Sequence, residues 1–426
     1  MRRWALLPID VSAFAQIETD RSRKTNSVRC LLVAIYSGKI MKSRNMFGLL
    51  VCATLLASTG CGGRSQAADG ATVHAKGFSA APHAGTMSDP WPGSAITRAI
   101  NSLPQTGGTV IVDDGIWIFD SDQVVSRGSF VLQGSGLNAQ LIFTTGTLKI
   151  GAPGTDIFDV TISTVTVDQS GADINAGNAV QLWQCNSCEL SDSVLYGHSN
   201  VAMAVFIAFG GSDGRILRNK FTSRSAGGSQ LQINPLPLED SSNFGFLVAN
   251  NELDSINILI IGANNIHVTS NYMHNQTLGN FIAMMFASVT TPTSHLLFDY
   301  NVIDATTGGG GQGAVISGIP QDPSQAGIIS NITIDHNTLS ASPVIAANAY
   351  DPDCVATCPD MSQTYNIQIT NNTLQSSWGS IIDVSGGNSG LVNGAFIDGN
   401  VFSKAGHNAI VKDNHSYSVR IGSNSF

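Results

Sequence analysis

Asp383 sits within the apolar stretch Ser380–Val384, and Lys412 directly follows a second one, Asn408–Val411, near the end of the chain. If Ile382 and Val384 face inward on a strand, Asp383 faces outward; if Ala409 and Val411 face inward, Lys412 faces outward. A carboxylate beside an ammonium on successive strands is a general base with a charge partner. The same two residues also make an ordinary surface ion pair, worth under about 1 kcal/mol. Gln181, Gln230 and Gln232 fall on the same outward phase of earlier stretches, where amides can hydrogen-bond a ligand. Asp351, Asp353 and Asp360 offer the hard oxygen ligands that calcium prefers, although a solvated acidic loop has the same composition. Two close cysteine pairs, Cys185/Cys188 and Cys354/Cys358, form disulfides or stay buried in an oxidising compartment. A four-thiolate zinc site would have to join pairs about 170 residues apart. His198, His267 and His407 are acid–base groups by type, and exposed loop or strand histidines by the plainer reading.

The bulk composition limits what these groups can act on. The 426 residues carry 12% charged residues, about half the usual share, with 44 Gly and 42% hydrophobic residues, which is not a disordered profile. The net charge of −9 hides an asymmetry: from Cys61 onward there are 12 basic and 27 acidic residues. Between Arg224 and Lys404 there is no Lys or Arg at all. Such a surface repels phosphate backbones and excludes nucleic acid as a partner. It also cannot hold a polyanion by salt bridges, so an anionic ligand needs bridging Ca²⁺ and a neutral one does not.

The N-terminus reads as a targeting segment. Lys42 and Arg44 form a basic region, Phe47–Ala57 an apolar run, and Ser58-Thr59-Gly60-Cys61 a small-residue cleavage site. The apolar run is too short to span a bilayer of roughly 30 Å. Residues 1–40 have no organised pattern and are expected to precede the true start at Met41; residues 41–60 are the expected signal peptide and 61–88 a flexible linker. The pattern resembles a bacterial lipoprotein signal, which implies lipidation of Cys61 and a membrane anchor. Ser58 stands where Leu is usual, which leaves ordinary cleavage near Ala67 open.

A repeat identifies the element that must position all these groups. Asn331–Leu339 contains a frame of apolar, any, apolar, two turn residues, Asn, any, apolar. The frame recurs with Asn219, Asn251, Asn271, Asn301, Asn337, Asn372, Asn400 and Asn424 in the Asn slot, and with Ser193 and Val165 there in two earlier copies. Slots lie 20 to 36 residues apart, averaging about 29. Apolar residues two apart share one side of a strand; the chain then bends, and Asn is expected at the bend because it tolerates the left-handed conformation. Stacked amides can also hydrogen-bond from coil to coil. A variable period means a fixed coil of three short strands with loops of different size. A second apolar strand precedes each frame, as in Asn257–Ile261, Phe281–Met285 and Ala314–Ile316. The expected fold is all-β: a right-handed parallel β-helix of about ten or more coils over residues 89–426.

Ala95–Phe143 resembles the opening segment of pectate-lyase-superfamily β-helix proteins. There an amphipathic helix, here Ala95, Ile96, Ala99, Ile100 and Leu103, plugs the open end. Strands matching Gly107–Val110, Gly115–Phe119 and Val131–Gly136 then start the coil. The resemblance implies an N-terminal capping helix and a polysaccharide partner bound along the outer face of one sheet, between loops such as Asn275–Ser294, Thr306–Ser330 and Ser342–Thr364. It implies a polysaccharide lyase or glycoside hydrolase, or else a non-catalytic glycan-binding or structural surface protein. The catalytic patterns of the superfamily match poorly. Asp113-Asp114 is the only Asp-Asp pair, Gly197-His198 is followed by Ser199, and Ile334-Asp335-His336 resembles a calcium pectate lyase stretch but follows Thr333 in place of Trp. The chain ends at Phe426 on the last apolar slot of a frame, so a partner over that end or a longer chain is expected.

Overall fold

The computed structural model describes residues 70–173, 177–198, 204–223, 230–234, 243–275, 283–287, 292–304, 314–320, 328–340, 345–348, 362–375, 381–384, 390–403, 408–414 and 416–426. These form a right-handed parallel β-helix of three long sheets. One coil shows the plan: Ile328–Asp335 joins the first sheet, Thr338–Ser340 the second and Ile345–Asn348 the third, before the chain returns to the first sheet at Ser362–Thr370. Every pairing between successive coils in these sheets is parallel, as in Ile332↔Ile367 and Leu339↔Leu374. The second sheet has 12 strands and the third 11, a stack of roughly 50–60 Å at one strand spacing per coil.

Period-2 alternation builds the core. On the first sheet Val110, Leu132, Ile162, Leu190, Ile216, Val248, Val268, Phe298, Ile334, Ile369 and Ile397 follow one another in register, all buried. Their sequence neighbours face out, so a one-residue slip would exchange the faces.

The helix α1 (Gly93–Ser102) closes the N-terminal end, with Ala95, Ile96, Ala99 and Ile100 fully buried and Leu103 just beyond it nearly so. Its last carbonyls are not left bare: the Arg127 guanidinium donates to Ile100 O, Leu103 O and Pro104 O at 3.4, 2.7 and 2.5 Å. Residues 71–88, expected as linker, are instead part of the fold. Ala71–His74 pairs with Gly108–Ile111 of the first sheet, and Ala75 is fully buried. Its alternating Val73 packs against the core, a short signal that the loop-like composition around it obscured. Cys61 and residues 1–60 lie outside the described residues. Among the described residues no helix is long and apolar enough to cross a membrane.

The recurring Asn is a buried ladder. Asn219, Asn251, Asn271, Asn301, Asn337, Asn372 and Asn400 are all at most 2% exposed. Each donates Nδ2–H to Oδ1 of the next, at 2.9 to 3.1 Å, through to Asn424. Each backbone N–H donates to that same oxygen, and each Nδ2 also donates to a carbonyl such as Val268 O or Phe298 O. The left-handed conformation expected of these Asn residues belongs to their predecessors. Arg218, Asn250, Ser270, Tyr300, His336, Asn371 and Gly399 have φ between 52° and 67°. Asn is therefore selected by the hydrogen bonds of its buried amide and not by the bend. A non-Gly residue in the left-handed region costs roughly 1–2 kcal/mol, and the bulky Arg218, Tyr300 and His336 occupy it.

Candidate functional site

The third sheet carries the outward groups named from the sequence. Leu148, Val180, Phe206, Leu231, Ile258, Ile382 and Ile410 are on its inward phase. One residue further on, the register row runs Lys149, Gln181, Ile207, Gln232, Leu259, Met284, Val315, Ala346, Asp383, Val411. Between Lys149 and Asp383 this row holds no charged residue. Gln230 is two residues before Gln232 on the same strand and in register with Asn257.

The strand register does not set Lys412 opposite Asp383. Asp383 is outward between buried Ile382 and Val384, but its register partner is Val411, because Ile410 and not Ala409 continues the inward row of Ile382. Lys412 lies one residue past the strand Ile410–Val411 and is exposed. The sequence run Ala409-Ile410-Val411 is apolar throughout, so it carries no phase of its own.

The amides are better placed. Trp183 Nε1–H donates to Gln181 Oε1 at 3.0 Å, and Asn234 Nδ2–H donates to Gln232 Oε1 at 3.0 Å. The same arrangement, a donor two residues on along the strand, thus recurs two coils apart, a spacing of roughly 10 Å. Gln181 and Gln232 are 8% and 9% exposed. Trp183 stacks on Phe209 of the next coil, centroids 4.3 Å apart and planes 25° apart, and Asn234 follows Phe209 in register. Ile207, Leu259 and Ile261 are also on outward positions and outside the core cluster, yet they too are buried, so this part of the face is sheltered from water. Residue phase could have found Trp183 from the sequence, since it lies two after Gln181; the stacking with Phe209 could not be read there.

The remaining candidates separate. Cys185 and Cys188 form a disulfide at the corner that leads from the third sheet toward the first, with Cα atoms 5.8 Å apart. Asp351, Asp353, Cys354, Cys358 and Asp360 lie outside the described residues, as does His407; among the described residues no cluster of three metal-ligating side chains occurs. Asp113 and Asp114 do different work: Asp113 binds His74 at 2.8 Å and Lys76, while Asp114 accepts from Ser135. His198 is buried. His267 Nε2 is 2.8 Å from Asp299 on the outer face of the first sheet.

Asp335 is held by Thr370 at 2.6 Å, Asn371 at 2.9 Å and His336 at 2.6 Å. Burial works against its charge, but these hydrogen bonds outweigh burial and hold the carboxyl below its ordinary value. The Arg218 guanidinium does the same for Asp192 through two bonds of 2.7 Å, and Lys220 for Glu252. Those four residues line an open cleft of about 410 Å³ with Ser193 and Asn219, on the far side of the coil from the Gln181 row. Depressed carboxyl values stabilise the folded state above the ordinary range, and that stability is lost as pH falls through the folded values. The melting temperature is expected to hold above about pH 5 and to fall steeply below about pH 4, with a smaller acid drop in Asp335→Asn; thermal unfolding across that range measures it.

No protein-family model matches the chain, and no curated protein matches it. Solved structures do. The crystal structure of PfbA, a surface adhesin of Streptococcus pneumoniae, superposes with a TM-score of 0.62 at 13% identity, over 83% of this chain and 89% of that one. A second structure of that adhesin gives 0.55 at 12%, over 84% and 100%. A hyperthermoactive exopolygalacturonase from Thermotoga maritima gives 0.50 at 11%, over 83% and 92%. At such identities the likeness establishes the fold, a parallel β-helix, and assigns no residue a role.

Proposed function

We propose that this chain is an exported glycan-binding β-helix whose ligand is a neutral polysaccharide lying along the outer face of the third sheet. One observation carries the reading: the stacked Trp183–Phe209 pair beside the amides of Gln181 and Gln232, on a row without charge from Gln181 to Ala346. Aromatic faces pack on the apolar faces of sugar rings while amides bond their hydroxyls. The absence of Lys and Arg between residues 225 and 403 argues against a polyuronate held by ion pairs. The leader ending at Cys61 supports export with a lipid anchor.

Binding to an immobilised panel of neutral and acidic polysaccharides tests this, with and without EDTA. Saturable binding to a neutral glycan is expected; binding to none of them sinks the reading. Release of reducing ends or unsaturated products would instead make the protein a hydrolase or lyase, with Asp383 the first residue to replace. Loss of binding in EDTA would place calcium in it, with Asp351, Asp353 and Asp360 as the ligands to test.

A further inference from the structure

The open cleft on the far side of the coil has no part in the binding proposed for the Gln181 row. Asp192, Arg218 and Asn250 line it from three successive coils, at the corner between the first and second sheets. Lys220 and Glu252 line it from the second sheet, in register with one another and with Val194. Leu137, 47% exposed, gives it an apolar wall. The three corner residues have φ of 53°, 56° and 58°. Asp and Asn adopt that conformation more readily than Arg, so Arg218 stands there against the local preference.

The four charges of the cleft cancel in pairs. Arg218 Nε–H and Nη2–H donate to the two Asp192 carboxylate oxygens at 2.7 Å, and Lys220 Nζ–H donates to Glu252 Oε1 at 2.9 Å. His274 Nε2 lies 3.2 Å from the same Glu252 oxygen. Each charge already has its opposite, so the cleft selects neither an anion nor a cation. What the pairs leave over is hydrogen-bonding capacity. The N–H groups of Arg218 Nη1, two further N–H of Lys220, Glu252 Oε2 and the Asn250 amide lie outside these bonds. The four charged side chains are 38% to 51% exposed, within reach of a ligand. Mutual pairing holds them in place before one arrives. Fixed donors and acceptors beside an apolar wall, in a concave site of about 410 Å³, suit the hydroxyls of a neutral sugar ring. Next in register after Glu252 stands Tyr272, 43% exposed, its ring stacked on His274. An aromatic ring there packs against the apolar face of a second sugar.

We propose that this cleft is a second saccharide site, which holds one ring of a short neutral saccharide among Arg218, Lys220, Glu252 and Asn250 and sets the next ring on Tyr272. It acts without the Gln181 row and stands or falls separately from the reading given to that row. The test is NMR titration of the full chain with neutral disaccharides of gluco, galacto and manno configuration, and with a uronate disaccharide. At least one neutral disaccharide is expected to saturate with a Kd on the order of a millimolar, unchanged between low and high salt because no net charge is exchanged. Arg218→Asn is expected to weaken it about tenfold. Its melting temperature should hold, since Asn suits the corner and an exposed ion pair contributes little. Tyr272→Ser should weaken the disaccharide and leave the methyl glycoside of a single sugar as it was. Trp183→Ala should alter neither titration, so failure of the Gln181 row as a glycan face does not touch this result. Four outcomes would each overturn the proposal: no saturation by any neutral disaccharide, tighter and salt-sensitive binding of the uronate, full-strength binding to Arg218→Asn, or loss of binding in Trp183→Ala.

Discussion

Asn301→Ala is expected to lower the unfolding free energy by about 3–5 kcal/mol, among the largest effects any single substitution here can have. Asn301 is fully buried. Its Oδ1 accepts from Asn271 N and Nδ2, and its two Nδ2 hydrogens are shared among Val268 O, Asp299 O and Asn337 Oδ1, all at 2.9 to 3.1 Å. Alanine removes these bonds and leaves donors and acceptors of three coils in a dry interior, where each unpaired group costs about 1–3 kcal/mol before any relaxation. The sum is cut by local rearrangement and by the smaller loss of side-chain entropy. Asn424, partly exposed at the end of the ladder, is the internal control: Asn424→Ala should cost about 1 kcal/mol, since water can replace what it loses. Urea midpoints of the two variants decide. Equal shifts would mean that the ladder is not cooperative with the core around it.

Trp183→Ala is expected to weaken glycan binding by about 2 kcal/mol, roughly thirtyfold in Kd, with little loss of stability. The ring packs on Phe209 at the outer face, where truncation opens no cavity in the core. It also fixes the Gln181 amide through Nε1, so two contributions to binding are removed together. Trp183→Phe separates them: the ring stack survives, the donor is lost, and a shift of about 1 kcal/mol is expected. Isothermal titration with the neutral glycan found by the panel reads both. If Trp183→Ala binds as the unaltered protein does, the ligand lies elsewhere on the solenoid.

Much of the scaffold was legible because its physics is local. Ile334 and Ile332 face inward because side chains alternate along a strand, and Asn337 recurs because each coil must satisfy the same buried groups. The capping helix was legible in Ala95, Ile96, Ala99 and Ile100, since their spacing makes one apolar face. The role of the Asn was misread in one respect. The amide ladder expected from stacking is present, whereas the bend expected at the Asn belongs to Tyr300 or His336 beside it.

The candidate site was legible only where the strand phase was. Gln181 and Gln232 alternate with buried neighbours, so their outward direction follows from sequence. Ala409-Ile410-Val411 is apolar at every step, and only pairing with Ile382 decides that Val411 and not Lys412 stands beside Asp383. The sequence by itself determined the coil, its interior and its capped end, because each of these follows from periodic burial and backbone hydrogen bonding within or between neighbouring repeats. Tertiary structure alone decided which outward residues meet: Trp183 with Phe209, Tyr300 with His336, Asp299 with Asp335. Those meetings depend on coil length and register between segments about 30 residues apart, which loops of unequal size set and no local pattern encodes.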